Sequence, residues 1–350
     1  MTSSRGEIGF RTVLALVLLA VSCGKPTGVA ESGGRVPIAF SVAPPAITRS
    51  GAVLPSGESD ISSLDLLAFR THTGAPDAYV RVEGEGISTL RASLTAGETL
   101  RWYLIANAPK GALSAFTDED GFLAGRTLLS DSSPSALVMH ASGTQAFARN
   151  GDGTPVTVRG IELRRYAAKV TLGEIDVAWL DAFDRTPPCT LDRLVLVNAR
   201  GDCPLSGIPS ALPSDLWFNR SEDDCPTGFT GDLLGWDGPL PIPSSAPVTV
   251  GRSLYAMPNP SDVTDTADTL PWAPRQTRLC LRLTIDGITQ WYAVGLPPME
   301  GNCHYIVSRL VIMGPGTATP DRGTDRDAVS LTVHVEPWTD NPIKEDFDTQ

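Results

Sequence analysis

An all-β protein of two domains is what this sequence predicts, on three observations. Short apolar runs recur along the chain, each bounded by Gly, Pro, Asp or Ser, the punctuation of strands and turns. No long helical period follows the first apolar segment. The 350 residues exceed the need of one small core, and two cores of roughly 130 to 170 residues would each bury enough apolar surface to stand alone.

The first element is an export segment. Arg5 and Arg11 precede the apolar run Val13 to Val21, which has the length of a signal peptide's hydrophobic region and is too short to span a bilayer. The run closes on LAVSC, so cleavage before Cys23 leaves a thiol able to carry lipid, while Ala20-Val21-Ser22 would also serve an ordinary signal peptidase. Residues 1–22 are read as a lipoprotein signal and Cys23 as the lipidated residue. Residues 24–35 are small, polar and Gly-rich, which suits a flexible tether. The stretch VPIAFSV then sets Val36, Ile38, Phe40 and Val42 on one face at strand spacing, so this strand could fill a core groove. The Pro-, Gly- and Ser-rich stretch that follows, with Arg49-Ser50 inside it, is open to a protease.

Further strands are expected at 61–70, 99–109 and 136–141, with two strands or one bent strand over 156–175. In the second half the candidates are 191–199, 246–251, 277–287, 288–296, 303–314 and 329–338. Asp286-Gly287 suits the positive φ values of a type I′ turn and makes TIDGITQWYAV a hairpin. Residues 200–245 are rich in Pro, Gly, Asp and Trp and read as a long excursion, a length usually functional or disordered. Trp217 and Trp236 lie in it.

With 28 basic against 40 acidic residues, the net charge of −12 opposes a phosphate backbone, and nucleic acid is excluded as a partner. No nucleophile elbow, zinc-protease helix, phosphate loop or calcium loop is present, so neither enzyme chemistry nor a cofactor or metal is indicated. His72, His140, His304 and His334 are far apart in sequence, and the cysteines form no CxxC pair. Beyond Cys23 five cysteines remain, an odd number. Cys203 with Cys225, flanking one loop, and Cys280 with Cys303, on neighbouring strand candidates, are the disulfides to test first. Arg200-Gly201-Asp202 spells an integrin-binding tripeptide, which functions only on a displayed loop.

Several segments, in order and spacing, resemble the fimbrillin family, the type V pilins of Bacteroidales. They are the first strand followed by TRS (48–50), ISSLDLLAFR, WYLIANAP and LRRYAAKVTL, then LDRLVLVNA, the hairpin, GNCHYIVSRLVIMGPG and VHVEPW. Where the family usually has Arg-Asn before the aromatic of the penultimate strand, this chain has Gly301-Asn302-Cys303-His304-Tyr305, keeping only the asparagine. The resemblance implies two transthyretin-like β-sandwiches in tandem, with antiparallel Greek-key sheets: 50–175 and 176–350, preceded by a propeptide at 23–49. It implies a surface fimbrial subunit, structural or accessory, that contributes to adhesion. Such a subunit reaches the outer membrane through its lipid and is cut between Arg49 and Ser50 by an arginine-specific protease. The first strand then leaves, and a strand from another fimbrial subunit fills the groove by β-augmentation. Carried onto this chain, the donor would be the C-terminal stretch, with Leu331, Val333, Val335 and Trp338 as its plugs. Partners would be other fimbrial subunits, the protease, and a host surface or glycan. The alternative reading is a surface glycan-binding lipoprotein of a nutrient-uptake system, stacking sugar on Trp217 and Trp236.

Overall fold

The computed structural model describes residues 34–43, 57–178, 188–209, 214, 216–220, 233–243, 246–264, 274–320 and 329–337. In chain order the strands are β1 (Arg35–Ala43), β2 (Ser63–Arg70), β3 (Pro76–Glu83), β4 (Thr89–Thr95), β5 (Thr99–Ala106), β6 (Arg126–Leu128), β7 (Met139–Ala146), β8 (Val156–Glu162), β9 (Arg164–Arg165), β10 (Ala168–Val177), β11 (Cys189–Val197), β12 (Ala199–Arg200), β13 (Asp202–Pro204), β14 (Trp217–Phe218), β15 (Gly235–Ile242), β16 (Val248–Ala256), β17 (Arg278–Ile285), β18 (Ile288–Gly295), β19 (Cys303–Ile312) and β20 (Val329–Pro337). One short helix, α1 (Glu119–Ala124), follows the fifth strand. The chain is all-β, as its punctuation predicts.

Two β-sandwiches account for most of these strands. In the first, the sheet β4-β1-β8 faces the sheet β3-β2-β5-β7-β9 across a core built from Val36, Phe40, Leu64, Leu66, Trp102 and Leu104 among others. In the second, β16-β10-β19-β20 faces β15-β11-β17-β18. Under the substitution of β10, β11, β15, β16, β17, β18 and β19 for β1, β2, β3, β4, β5, β7 and β8, the strand orders are the same. Apart from β9, which only the first half has, the two halves are therefore topological repeats, and among the described residues β20 is an addition to the second with no counterpart in the first.

The repeats explain the two parallel pairings in sheets expected to be antiparallel. In each half the opening strand lies between an antiparallel partner (β4 or β16) and a parallel one (β8 or β19). Sequence patterns carry no pairing direction, so these ladders were invisible to them. The segment 156–175 divides among three sheets: β8 belongs to the first sandwich and β10 opens the second. Strands β3 and β4 lack a clear apolar run and were not foreseen. The 200–245 excursion contributes β15, an edge strand that tolerates Pro239 and Pro241 because edge backbone groups need no second neighbour. The hairpin β17–β18 turns on Asp286 (φ 50°) and Gly287 (φ 80°), as its sequence requires.

A buried ion pair ties the approach to β2 to the second sandwich. Lys169 on β10 donates to both carboxylate oxygens of Glu58, at 2.8 and 2.9 Å, and the Tyr255 hydroxyl on β16 donates to Oε1 of the same carboxylate. Arg165 donates to the Glu58 carbonyl and the Ser59 hydroxyl. The Lys169 and Glu58 side chains are 4% and 3% exposed, so neither charge has solvent to fall back on. Replacing one partner strands the other. Lys169→Met is expected to lower stability by about 3–5 kcal/mol, and the Glu58→Gln/Lys169→Met double variant by less than the sum of the two singles; urea unfolding midpoints of the three proteins check this.

Candidate functional site

Strand β1 is the middle strand of its sheet, and among the described residues it is the only strand that pairs with either β4 or β8. Its alternating sequence decides which side chains go inward. Val36, Ile38, Phe40 and Val42 are 0–2% exposed, and the Phe40 ring meets Trp102 at 5.3 Å and Phe147 at 6.2 Å in edge-to-face contacts. At about 1.5–3 kcal/mol for each buried apolar side chain, the four contribute about 6–12 kcal/mol. That is comparable to the whole stability of a typical domain.

The strand carries a proline near its beginning. Pro37 lies opposite Ser93 of β4, but the groups bonded on the β4 side are the Gly34 carbonyl and the Val42 N–H, so the Pro37 nitrogen faces β8, just before that ladder begins at Ile38 opposite Val156, where a missing N–H is tolerated. The Arg35 guanidinium donates to the Ser93 carbonyl and reaches the Asp77 carbonyl at 3.2 Å. Asp77 is buried, accepts from the Thr95 backbone N–H at 2.9 Å, and lies 3.6 Å from Arg35 and 3.7 Å from Arg70. The N-terminal end of β1 is thus held by side chains as well as by its ladder.

Strand β20 occupies the opposite kind of position, an edge. It pairs antiparallel with β19, setting Val335 opposite Tyr305, Val333 opposite Val307 and Leu331 opposite Leu310. Val329 is buried, Val333 packs against the core half-buried, and Val335 is 50% exposed. Near its end Glu336 lies 3.4 Å from Nδ1 of His304, whose Nε2 is 2.7 Å from the Thr171 hydroxyl. The plugs are thus unequal in the chain's own fold: Val333 is engaged and Val335 is not.

The other sequence-derived positions divide plainly. Cys23, Arg49, Ser50, Cys225 and Trp338 lie outside the described residues. The Cys280–Cys303 disulfide is not made: Cys280 is fully buried on β17 within a cluster that includes Val195 and Trp291, whereas Cys303 is a half-buried free thiol on β19 in the facing sheet. Cys203 is buried, and burial pushes its thiol up to about 12. The Arg200-Gly201-Asp202 tripeptide is no displayed loop, because Arg200 and Asp202 are 3% and 4% exposed and Asp202 is paired to Arg126 at 2.8 Å. Trp217 is half-buried with its Nε1–H on the Ser214 carbonyl, and Trp236 packs on the core with Arg252 over its ring, on a different sheet.

Solved structures with the same fold were found. The chain is similar to a candidate cell adhesion protein from Bacteroides eggerthii, with 17% identity, a TM-score of 0.64, and coverage of 87% of this chain and 97% of that one. A candidate cell adhesion protein from Parabacteroides distasonis aligns at 15% identity and a TM-score of 0.60, over 89% and 100% of the two chains. A fimbrilin from Porphyromonas gingivalis aligns at 14% identity and a TM-score of 0.59, over 87% and 98%. No family model and no curated protein matches the chain. The structural neighbours are thus a fimbrilin and candidate adhesion proteins of Bacteroidales, and at these identities the likeness shows the shared fold.

Two expectations follow from the geometry. Phe40→Ala is expected to destabilise the uncut chain by about 3–5 kcal/mol, measured by urea unfolding, because the cavity would open between Trp102 and Phe147. Stability is also expected to fall on acidification. Burial, with Arg164 nearby, pushes His140 down to about 4, and burial, with Lys169 nearby, pushes His304 down to about 3. Both groups bind protons more readily unfolded, near 6.5, so stability is full above that pH and is lost between 6.5 and about 3. Glu336, raised by burial, works in the opposite sense and offsets part of the loss. Unfolding midpoints at pH 7, 5 and 4 are expected to drop by an amount on the order of a few kcal/mol, and His304→Gln to flatten the profile.

Proposed function

We propose that this protein is a subunit of a cell-surface fimbria, an assembling and adhesive protein rather than an enzyme, delivered as an outer-membrane lipoprotein through Cys23 and activated by cleavage after Arg49. The observation that carries this reading is the place of β1: a central strand, apolar along one face, joined to β2 only through the Pro-rich stretch that contains Arg49. Cleavage there would leave β1 held by hydrogen bonds and packing alone. Its departure would strip β4 and β8 of their partner and open a groove lined by Trp102, Phe147, Leu90 and Leu94. An unfilled groove of this kind recruits another strand, since backbone pairing and apolar burial are restored together.

The replacement is the C-terminal strand of a neighbouring subunit. Its Val329, Leu331, Val333 and Val335 repeat the spacing of Val36, Ile38, Phe40 and Val42, so the same four pockets can be filled. An edge strand also leaves its own sheet at lower cost than a central one, because only one ladder is broken. In this reading residues 1–22 are the signal, 23–49 the propeptide, and the chain from residue 50 the assembling unit, in which β10 (Ala168–Val177) belongs to the second sandwich and not to the first body. The printed descriptions of the structural neighbours, a fimbrilin and candidate adhesion proteins, support the fimbrial setting.

Treatment of the chain with an arginine-specific protease is expected to convert monomer into oligomers that migrate as such on gels without boiling. The Arg49→Ala chain is expected to remain uncut and to form no oligomers that survive such a gel under the same treatment. Equal polymerisation of the two proteins would overturn the trimming mechanism.

A further inference from the structure

The repeat of the two halves leaves one strand position empty. In the second half β20 lies along the outer edge of β19; in the first, among the described residues, no strand lies along the outer edge of β8. The two edges match in detail. β8 places Val156, Val158 and Ile161 opposite Ile38, Phe40 and Val42 of β1, and β19 places Tyr305, Val307 and Leu310 opposite Val170, Leu172 and Ile175 of β10. Both strands space their inward residues by two and then three, with one extra residue between the second and third. Against β20 that extra residue falls between Val307 and Leu310, and in β8 it falls at Gly160, whose φ of +71° accommodates the bulge.

What differs is the cover. Tyr305, Val307 and Leu310 are 0–1% exposed beneath β20, whereas Val156 and Val158 are only half-buried. Beside them the sandwich opens into a cleft of about 410 Å³ between β7 and β8, lined by Trp102, Ala141, Val158 and Ile161 and flanked by Arg159 and Arg164. The Trp102 indole is 7% exposed and its Nε1–H, buried in that region, has no acceptor. A buried donor without a partner carries a desolvation cost that an incoming carbonyl would remove.

We propose that the outer edge of β8 is a second strand-accepting position, present while β1 is still in place, and that its occupant is the β20 strand of another copy of this chain, added antiparallel in the register β20 uses on β19. That register sets Val335 against Val156, Val333 against Val158 and Leu331 against Ile161. The β20 backbone satisfies the edge groups of β8, and its apolar face closes the cleft as it closes the sandwich in the second half. The position rests on the fimbrial reading only for the action of β20 between copies. It gives an uncut subunit a means of association that the β1 groove does not provide.

The test uses the full chain carrying Arg49→Ala, so that the groove stays filled, and a synthetic peptide of residues 327–338. With Val158→Cys added to the chain and Val333→Cys to the peptide, oxidation is expected to yield a disulfide-linked product on a non-reducing gel, since directly opposed residues lie within bridging distance. A peptide with Thr332→Cys instead, or a chain retaining Val158, is expected to give none. A peptide carrying Leu331→Asp and Val333→Asp is expected to bind the Arg49→Ala chain at least about tenfold more weakly than the unmodified peptide. Equal cross-linking from positions 332 and 333, or peptide binding only after the wild-type chain is trimmed, would overturn the proposal; the second result would leave the groove reading intact.

Discussion

The first sandwich depends on one constraint: its smaller sheet has a single bridging strand. Strand β1 is bonded to β4 on one side and β8 on the other, and among the described residues neither of those has another strand neighbour in the sheet. Four side chains at strand spacing supply the apolar contact, and Phe40, wedged between Trp102 and Phe147, joins the strand to the core beneath. A strand so placed holds the smaller sheet together, and the proposed exchange rests on its place being defined by shape and hydrogen bonding, which a second strand of like pattern would meet. The Arg35 guanidinium adds a side-chain tie from the start of the strand to the Ser93 carbonyl of β4.

The second sandwich repeats this plan with a different ending. Its opening strand β10 lies between β16 and β19 as β1 lies between β4 and β8, yet β10 is continuous with the body and carries Lys169 of the buried pair with Glu58. That pair fixes the approach to β2 against the second half. Strand β1 lies upstream of this attachment, so under the proposed trimming the Glu58 contact would stay in place. Strand β20, at an edge and with Val335 half in solvent, is held by a single ladder. One copy of the chain therefore combines a strand bound on two sides near its beginning with a strand bound on one side at its end, an asymmetry suited to head-to-tail association.

Much of this was written in local sequence. The all-β class, the inward face of β1, the β17–β18 hairpin at Asp286-Gly287 and most of the strands follow from periodicity and turn chemistry, because alternation and positive φ are properties of a few consecutive residues. The likeness to the fimbrillin family was also legible, carried by the order of segments that are each unspecific, and the fold matches the one it implied. The apolar alternation of β20 marked a strand, and its tie to β19 through His304 and Glu336 had no signal in spacing.

Pairing partners were what only the tertiary structure decided. Whether two strands run parallel, which is central and which is edge, and whether a strand such as β8 has a second neighbour depend on residues more than a hundred positions away, which local periodicity cannot encode. For the same reason Arg200-Gly201-Asp202, loop-like on paper, is buried against Arg126, and Cys280 and Cys303, neighbours by strand order, belong to facing sheets. The sequence by itself determined which residues could face a core; the fold determined which core they face and where an edge is left open, because burial and backbone pairing are satisfied jointly by elements brought together from the whole chain.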